Sequence, residues 1–470
     1  MKKPVFLAVA LAWLQLSVAH AQPNIILIVT DDQRADEWQY MPGLQAEIAT
    51  KGMSLPNFYV STSLCCPSRS SILRGQYAHN TNVKTNDYPS GGWQKFHAEG
   101  LEESNIVTWL RGLGYQTALF GKYLNGYPNA PTGYIPPGWS RFFVTSGRMY
   151  YGYNVNNDGV AVHYGTTEAD YQPSVVGTAA VNWVETQAAS RTPFFAYISP
   201  NSPHSYDNGP PPYLSRYAND FAAEGVPRTP SFNEADVLDK PSYVRKKPLL
   251  TDEQMALMDE YRRARLRSLQ PVDEMITSII AALDRQGQLQ NTYIVATNDN
   301  GYLLGEHRIL PSKNLAYEEA TRVAAFIRGP GIAQGVASSD LLANIDLAPT
   351  FVQMAGIAPP DYVTDGRSIL SMLRGGPSVS RRALLLDNYT VSKITNEAKV
   401  FLSGFVTREY KYIEYGTGTR ELYDLVNDPY EVQNLASSIN TDAYSTYLAQ
   451  LAVCAASSCR VLENNPPAWP

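Results

Sequence analysis

The sequence predicts an α/β fold with a large, mostly parallel central sheet flanked by helices and a small C-terminal subdomain containing an antiparallel sheet. Three observations carry this expectation. Apolar, β-branched runs recur and stop abruptly at polar residues; stretches of helical length and pattern separate them; after about Gly376 the chain turns to short strands in close succession. The 470 residues, 44% hydrophobic and 17% charged, supply ample material for a large core.

The first 21 residues carry Lys2 and Lys3, an apolar stretch over 4–18, and Ala19-His20-Ala21 ahead of Gln22. This is the layout of a cleavable secretory leader, with the mature chain starting near Gln22. A buried strand or a membrane anchor fits less well, because the stretch is short for a spanning helix and ends in a small-x-small site. Removing it takes away two lysines and no acids, moving the formal charge from −6 to about −8. No later run reads as a membrane span, and no basic run reads as a nucleic-acid footprint, so an anionic substrate has to be attracted locally.

Next, Asn24-Ile25-Ile26-Leu27-Ile28-Val29 reads as a fully buried strand that stops at Thr30-Asp31-Asp32. Similar strands are predicted over 115–122, ending at Lys122, over 193–199, and over 292–297, running into Asn298-Asp299-Asn300-Gly301. Helices are predicted over 105–113, 174–189 and 251–286, the last opened by a capping box between Thr251 and Gln254 and kinked or divided at Pro271. Ligands of such open sheets bind beyond the carboxyl ends of the strands. That rule gathers Asp31, Asp32, Lys122, His204 and Asp299 at one rim. The Pro-, Asn- and Tyr-rich stretch 201–248 reads as a long functional loop over it. Short strands over 383–386, 401–407, 410–415 and 421–425 make up the C-terminal subdomain. The division expected is 1–21 leader, 22–376 catalytic domain and 377–470 subdomain.

Asp31 and Asp32 repel each other at the end of a buried strand, a conflict that a divalent cation resolves; an N-cap carboxylate with a solvated neighbour is the other reading. The oxygen groups of Asp299 and Asn300 end a second strand in the same way. The run Cys65-Cys66-Pro67-Ser68-Arg69-Ser70-Ser71-Ile72-Leu73-Arg74-Gly75 suggests a turn capped into a helix over 70–73. A thiol near a helix N-terminus and an arginine has a lowered pKa and serves as nucleophile or ligand; a buried cysteine in a capped turn is the alternative. Of the four cysteines, Cys454 and Cys459 are close enough to close a small loop by a disulfide, which leaves Cys65 and Cys66 over.

The Cys-x-Pro-Ser-Arg opening of that run resembles the signature of the type I, formylglycine-dependent sulfatases of the alkaline-phosphatase superfamily. The resemblance continues through Gly305-Glu306-His307, Lys313, Tyr317-Glu318-Glu319, Ile327-Arg328-Gly329-Pro330-Gly331, Asn344-Ile345-Asp346, Glu421-Leu422-Tyr423-Asp424 and Asn434-Leu435, nearly the whole mature chain. It implies an alkaline-phosphatase-like fold and hydrolysis of sulfate monoesters, with a sulfated small molecule or glycan as partner. Cys65 would be converted to formylglycine by a formylglycine-generating maturation enzyme, and its hydrate would attack sulfur. Asp31, Asp32, residue 65, Asp299 and Asn300 would hold one divalent cation, calcium rather than magnesium. Arg69 would hold the hydrate, Lys122 and Lys313 the sulfate oxygens, and His204 would protonate the leaving group.

Many members read Gly-Lys-Trp-His-Leu-Gly where this chain reads Gly121-Lys122-Tyr123-Leu124-Asn125-Gly126. Leu124 replaces the histidine that assists release of sulfate. The form is similar to the N-acetylglucosamine-6-sulfatase and heparan endosulfatase branch, which points to an amino-sugar or aryl sulfate. It leaves Asn125, and less so His307, to line the site, with neither given a proton-transfer role. Related readings are a phosphonate or phosphate ester hydrolase, or an inactive exported glycan-binding homologue. A periplasmic or secreted location is expected.

Overall fold

The computed structural model describes residues 22–358 and 363–469. The leader expected over 1–21 lies outside the described residues. A ten-stranded sheet forms the spine, in the order Val336–Ala337, Met53–Leu55, Ala325–Arg328, Thr292–Asn298, Asn24–Thr30, Phe194–Ser199, Gln116–Gly121, Arg141–Gly147, Tyr153–Asn157, Val160–His163. The five strands from Thr292–Asn298 to Arg141–Gly147 are mutually parallel. Outside them the sheet turns antiparallel at Ala325–Arg328 and at the hairpin Tyr153–Asn157/Val160–His163. The sheet is therefore mixed, with a parallel centre where the site is built.

The continuous apolar run of the first strand is explained by burial on both faces. Ile25, Leu27 and Val29 enter one core with Ile72, Leu73 and Phe351, while Ile26 and Ile28 enter the other with Val176, Val184, Ile276 and Ile279. The second core is covered by the helices Gln172–Ser190 and Asp252–Arg285. The capping box forms as expected, with the Gln254 amide donating to Thr251 Oγ1 at 3.3 Å and the Thr251 amide to Gln254 Oε1 at 3.0 Å.

Pro271 does not divide this helix, which runs through it for 34 residues. The hydrogen bond that proline removes is one among many, and Leu269, Val272, Ile276 and Ile279 hold both halves against one core. A second difference lies at the Cys65 run. The helix is Cys65–Arg74, its N-cap is Leu64 without a side-chain cap, and it ends at Gly75 in the left-handed conformation, φ 66°. Cys65 is thus the first helical residue.

The stretch 201–248 is irregular except for short helical turns at Ser215–Tyr217 and Ser242–Arg245. The C-terminal four-stranded antiparallel sheet, Leu384–Val391, Ala398–Val406, Tyr410–Tyr415 and Arg420–Asp424, has its own core around Leu384, Leu402, Phe405 and Tyr412. Cys454 and Cys459 form a disulfide, and Cys65 and Cys66 are unpaired and buried. Among the described residues no helix is long and apolar enough to cross a membrane.

Candidate active site at the strand rim

Register fixes the site. Thr30 is opposite Asn298, so the first strand and Thr292–Asn298 end together and deliver Asp31, Asp32, Asp299 and Asn300 to one spot. The Asp31 amide donates to Ser202 O at 3.1 Å, tying the loop that bears His204 to the same rim. Lys122 follows Gly121, whose φ is 98° and where a Cβ would meet Ser199 O at 2.1 Å; only glycine lets the chain turn Lys122 inward. Asp32 itself has a φ of 65°, unusual for a residue with a Cβ and worth about 1–3 kcal/mol of strain. Its amide is held by Asp299 Oδ1 at 3.0 Å and its carbonyl by Arg265.

Around Cys65 the charges interleave. Lys122 Nζ donates to Asp31 Oδ2 at 2.6 Å, Lys313 Nζ donates to Asp32 Oδ1 and lies 2.7 Å from Cys65 Sγ, and Arg69 Nε donates to Asp299 Oδ2 at 2.8 Å. Cys65 Sγ is 3.7 Å from Asp31 Oδ1 and 3.9 Å from Asp32 Oδ1. His204 Nδ1 is 2.7 Å from Ser205 O, to which it donates, and Nε2 is turned inward, 3.5 Å from Asp32 Oδ2, free to carry a second proton.

Electrostatics follow from these contacts. Burial pushes Asp31 up, but Lys122 and His204 outweigh it and hold the carboxyl well below its usual range; Lys313 and His204 do the same for Asp32. Burial also opposes charge on the lysines, yet Asp31 and Cys65 raise Lys122, and Asp32 and Cys65 raise Lys313. Burial pushes the Cys65 thiol up to about 12 against the pull of both lysines. This corrects the expectation of a lowered thiol pKa: burial, with Asp31 and Asp299 adding to it, outweighs Lys122 and Lys313.

The residues fit a hard divalent cation. Asp31, Asp32, Asp299 and Asn300 offer oxygen, and Asp32 Oδ2 and Asn300 Oδ1 are buried without a hydrogen-bond partner among the described residues. Ligand atoms of Asp31, Asp32, Cys65 and His204 lie within 4.8 Å of one another. Every residue expected at the rim is therefore gathered there, with one exception. His307 is buried elsewhere, 2.7 Å from Glu234 through Nδ1 and stacked on Tyr317, with Glu319 and Glu431 as neighbours. Asn125 lines a cleft of about 230 Å³ together with Lys122, Leu124, Arg148, Asn201 and His204, and its Oδ1 is unpartnered.

Sequence reasoning missed the support for this site. Arg265 is fully buried, bonds both Glu37 oxygens at 2.7 and 2.9 Å, and reaches the carbonyls of Asp32 and Pro203. It holds the first-strand turn and the His204 loop in one grip. The signal lay in the long helix, whose core-facing positions Met258, Leu269, Val272 and Ile276 are interrupted at the same spacing by Arg262 and Arg265; charges on a buried stripe need buried partners. Ser199 Oγ, which accepts from Arg69, left no such trace.

Known proteins similar to this chain in sequence or in fold agree with one another. The family model described as Sulfatase matches residues 23–357, and that described as N-sulphoglucosamine sulphohydrolase, C-terminal, matches 305–453. An arylsulfatase of Volvox carteri is 32% identical over 95% of this chain and 77% of its own length. The N-acetylglucosamine-6-sulfatase of Homo sapiens is 31% identical over 93% of this chain and 86% of its own. The solved structure of BT4656 in complex with its substrate D-glucosamine-2-N,6-O-disulfate superimposes with a TM-score of 0.72 at 24% identity, covering 95% of this chain and 99% of that one.

Proposed function

The chain belongs to the sulfatase family, and on that premise we propose that it hydrolyses a sulfate monoester of an amino sugar or aryl alcohol through a formylglycine hydrate at residue 65. The observation that carries this reading is the placement of residue 65 at a helix N-terminus, within reach of Lys313 and between two carboxylates.

A sulfate ester needs its peripheral oxygens neutralised, a nucleophile in line with the leaving oxygen and a proton for the departing alcohol. Calcium, bound by Asp31, Asp32, Asp299 and Asn300, would supply positive charge beside the sulfate oxygens. Lys122 and Lys313, raised and fully charged, give up part of their contact with Asp31 and Asp32 to hold the sulfo group. Arg69, locked to Asp299 and Ser199, orients the hydrate at residue 65. One hydrate hydroxyl attacks sulfur as its proton passes to a carboxylate beside residue 65, Asp31 or Asp32, the S–O bond to the alcohol breaks, and His204 Nε2 gives its proton to the departing oxygen. The other hydroxyl of the covalent hemiacetal sulfate then loses its proton, the aldehyde re-forms and the C–O bond to sulfate breaks.

In this account residues 22–376 are the catalytic unit and 377–470 a subdomain that braces it, since Asn388 donates to Asn314 Oδ1 at 2.8 Å beside Lys313. A formylglycine-generating enzyme supplies the aldehyde. The protein works in the periplasm or outside the cell, where the Cys454–Cys459 disulfide persists.

A serine at residue 65 has one hydroxyl and no route for expelling sulfate. Cys65→Ser should therefore lose multiple turnover and accumulate a sulfated protein, read by intact mass after incubation with 4-nitrophenyl sulfate. Full multiple turnover by this variant would sink the mechanism. Faster turnover of a phosphonate monoester than of the aryl sulfate by the matured wild type would instead assign the phosphonate reaction.

A further inference from the structure

We propose that Arg148 binds a second acidic substituent of the substrate, a sulfo group or carboxylate displaced from the ester being cleaved, and so selects polyanionic sulfated sugars over singly charged ones. The inference rests on the sulfatase reading of the same cleft. Arg148 lines that cleft together with Lys122, Asn125 and His204. The other cationic groups of the site are committed to acids: Lys122 to Asp31, Lys313 to Asp32, Arg69 to Asp299. Arg148 is exposed, and its side chain reaches only the Tyr206 hydroxyl, at 3.5 Å, with no acidic partner among the described residues. In a chain with net charge −6, an arginine left without an acid at the mouth of an anion-binding cleft is a free guanidinium fork for an oxyanion.

Its backbone is placed, although its side chain is exposed. The strand Arg141–Gly147 ends at Gly147, and the next residues are tied to the His204 segment. Asn201 Nδ2 donates to Met149 O, and the fully buried Tyr150 donates to Asn201 O at 3.1 Å and His204 O at 2.6 Å. Arg148 and His204 are thus fixed relative to each other through Tyr150, as two readers of one ligand must be. Asn125 lines the same cleft.

The test is calorimetric binding to Cys65→Ala protein, which does not turn over, in calcium-containing buffer. Three ligands are compared: N-acetylglucosamine 6-sulfate, glucosamine 2-N,6-O-disulfate, and a 6-sulfated glucosamine linked to a uronic acid. Adding Arg148→Gln should raise Kd about tenfold for whichever ligand presents the matching acid, and change it less than twofold for the singly charged sugar. The ligand that loses affinity identifies the sulfo group or the carboxylate as partner. Equal losses for all three ligands, or no loss for any, would overturn the proposal. Matured wild-type protein should turn over 4-nitrophenyl sulfate. Absence of that turnover in the wild type would count against the function proposed above and leave the binding comparison standing.

Discussion

Two clusters of buried charge lie in this molecule, built from the same residue types and put to different use. At the strand rim, Asp31, Asp32 and Asp299 face Lys122, Lys313 and Arg69. Behind it, Glu318 and Glu431 share Lys411 at 2.8 Å each, Glu234 lies 3.4 Å from Lys240, and Arg34 pairs with Glu306 at 2.8 Å. Lys122 and Lys313 keep 14% and 15% side-chain exposure, whereas Lys411 and Lys240 keep none. The lysines of the rim are open to a ligand; those of the second cluster are closed off, although Glu306, Glu318 and Glu319 line a separate cavity of about 230 Å³, and this cluster joins the main unit to the strand Tyr410–Tyr415 that bears Lys411.

Most of their acids shift in opposite directions. Cations win at the rim, and Asp31 and Asp32 are depressed. In the closed cluster burial wins at three acids: it pushes Glu319 up to about 8, with Glu306 adding to it, and Glu431 and Glu234 up to about 7, whereas at Glu318 burial is outweighed by Lys411 and Arg322, which lower it. Burial likewise lowers His307 to about 3, so this histidine is neutral and bound to Glu234. The difference teaches that buried charge alone does not mark a site; surplus cationic stabilisation next to an opening does.

The comparison breaks most sharply under paired substitutions. Lys122→Ala should reduce kcat/KM about 10²–10³-fold, the usual consequence of removing one preorganised group that stabilises developing charge, while moving the unfolding midpoint little in calcium buffer. Lys411→Met strands Glu431 and leaves Glu318 to Arg322 and the Tyr59 hydroxyl, so it should cost about 3–5 kcal/mol of stability, read by denaturant unfolding, and leave kcat of the folded fraction near wild type. The reverse pattern would mean that the two clusters have been assigned the wrong way round.

A smaller effect sharpens the contrast through pH. Glu319 titrates at about 8 when folded and near 4.5 when unfolded, so between those values the folded state holds the extra proton and stability falls as pH rises. Relative to wild type, Glu319→Gln should gain up to about 1.4 kcal/mol for each pH unit travelled upward inside that window. Asp31 and Asp32 have the opposite sign: their contribution is complete above the unfolded carboxylate range and is lost as pH falls below it. Parallel curves for wild type and Glu319→Gln from pH 5 to 8 would show that Glu319 is not buried as a protonated acid.

Much of this was legible in the sequence where local pattern and tertiary role agree. The first strand is apolar from Ile25 to Val29 because both faces are covered, and Tyr410–Tyr415 is legible from its tyrosines and isoleucine. The edge hairpin was missed although its signal was present: Asp158-Gly159 takes two positive φ values, 51° and 90°, as a tight hairpin turn requires. The polar Asn154, Asn156 and Asn157 around it masked the strand pattern. At the site, the ligand-type residues were legible from where their strands stop. The grip of Arg265, the tyrosine tie behind Arg148 and the removal of His307 to the closed cluster depend on loops whose paths no local spacing encodes.

The central claim is that residue 65 acts as an aldehyde hydrate in a cation-lined rim. Its most direct test is the peptide mass across residues 65–69 in protein co-expressed with a formylglycine-generating enzyme, taken together with turnover of 4-nitrophenyl sulfate by the same sample. The account predicts the aldehyde mass, with activity proportional to the converted fraction. Sulfate-ester turnover by protein whose residue 65 is entirely unmodified cysteine would contradict it.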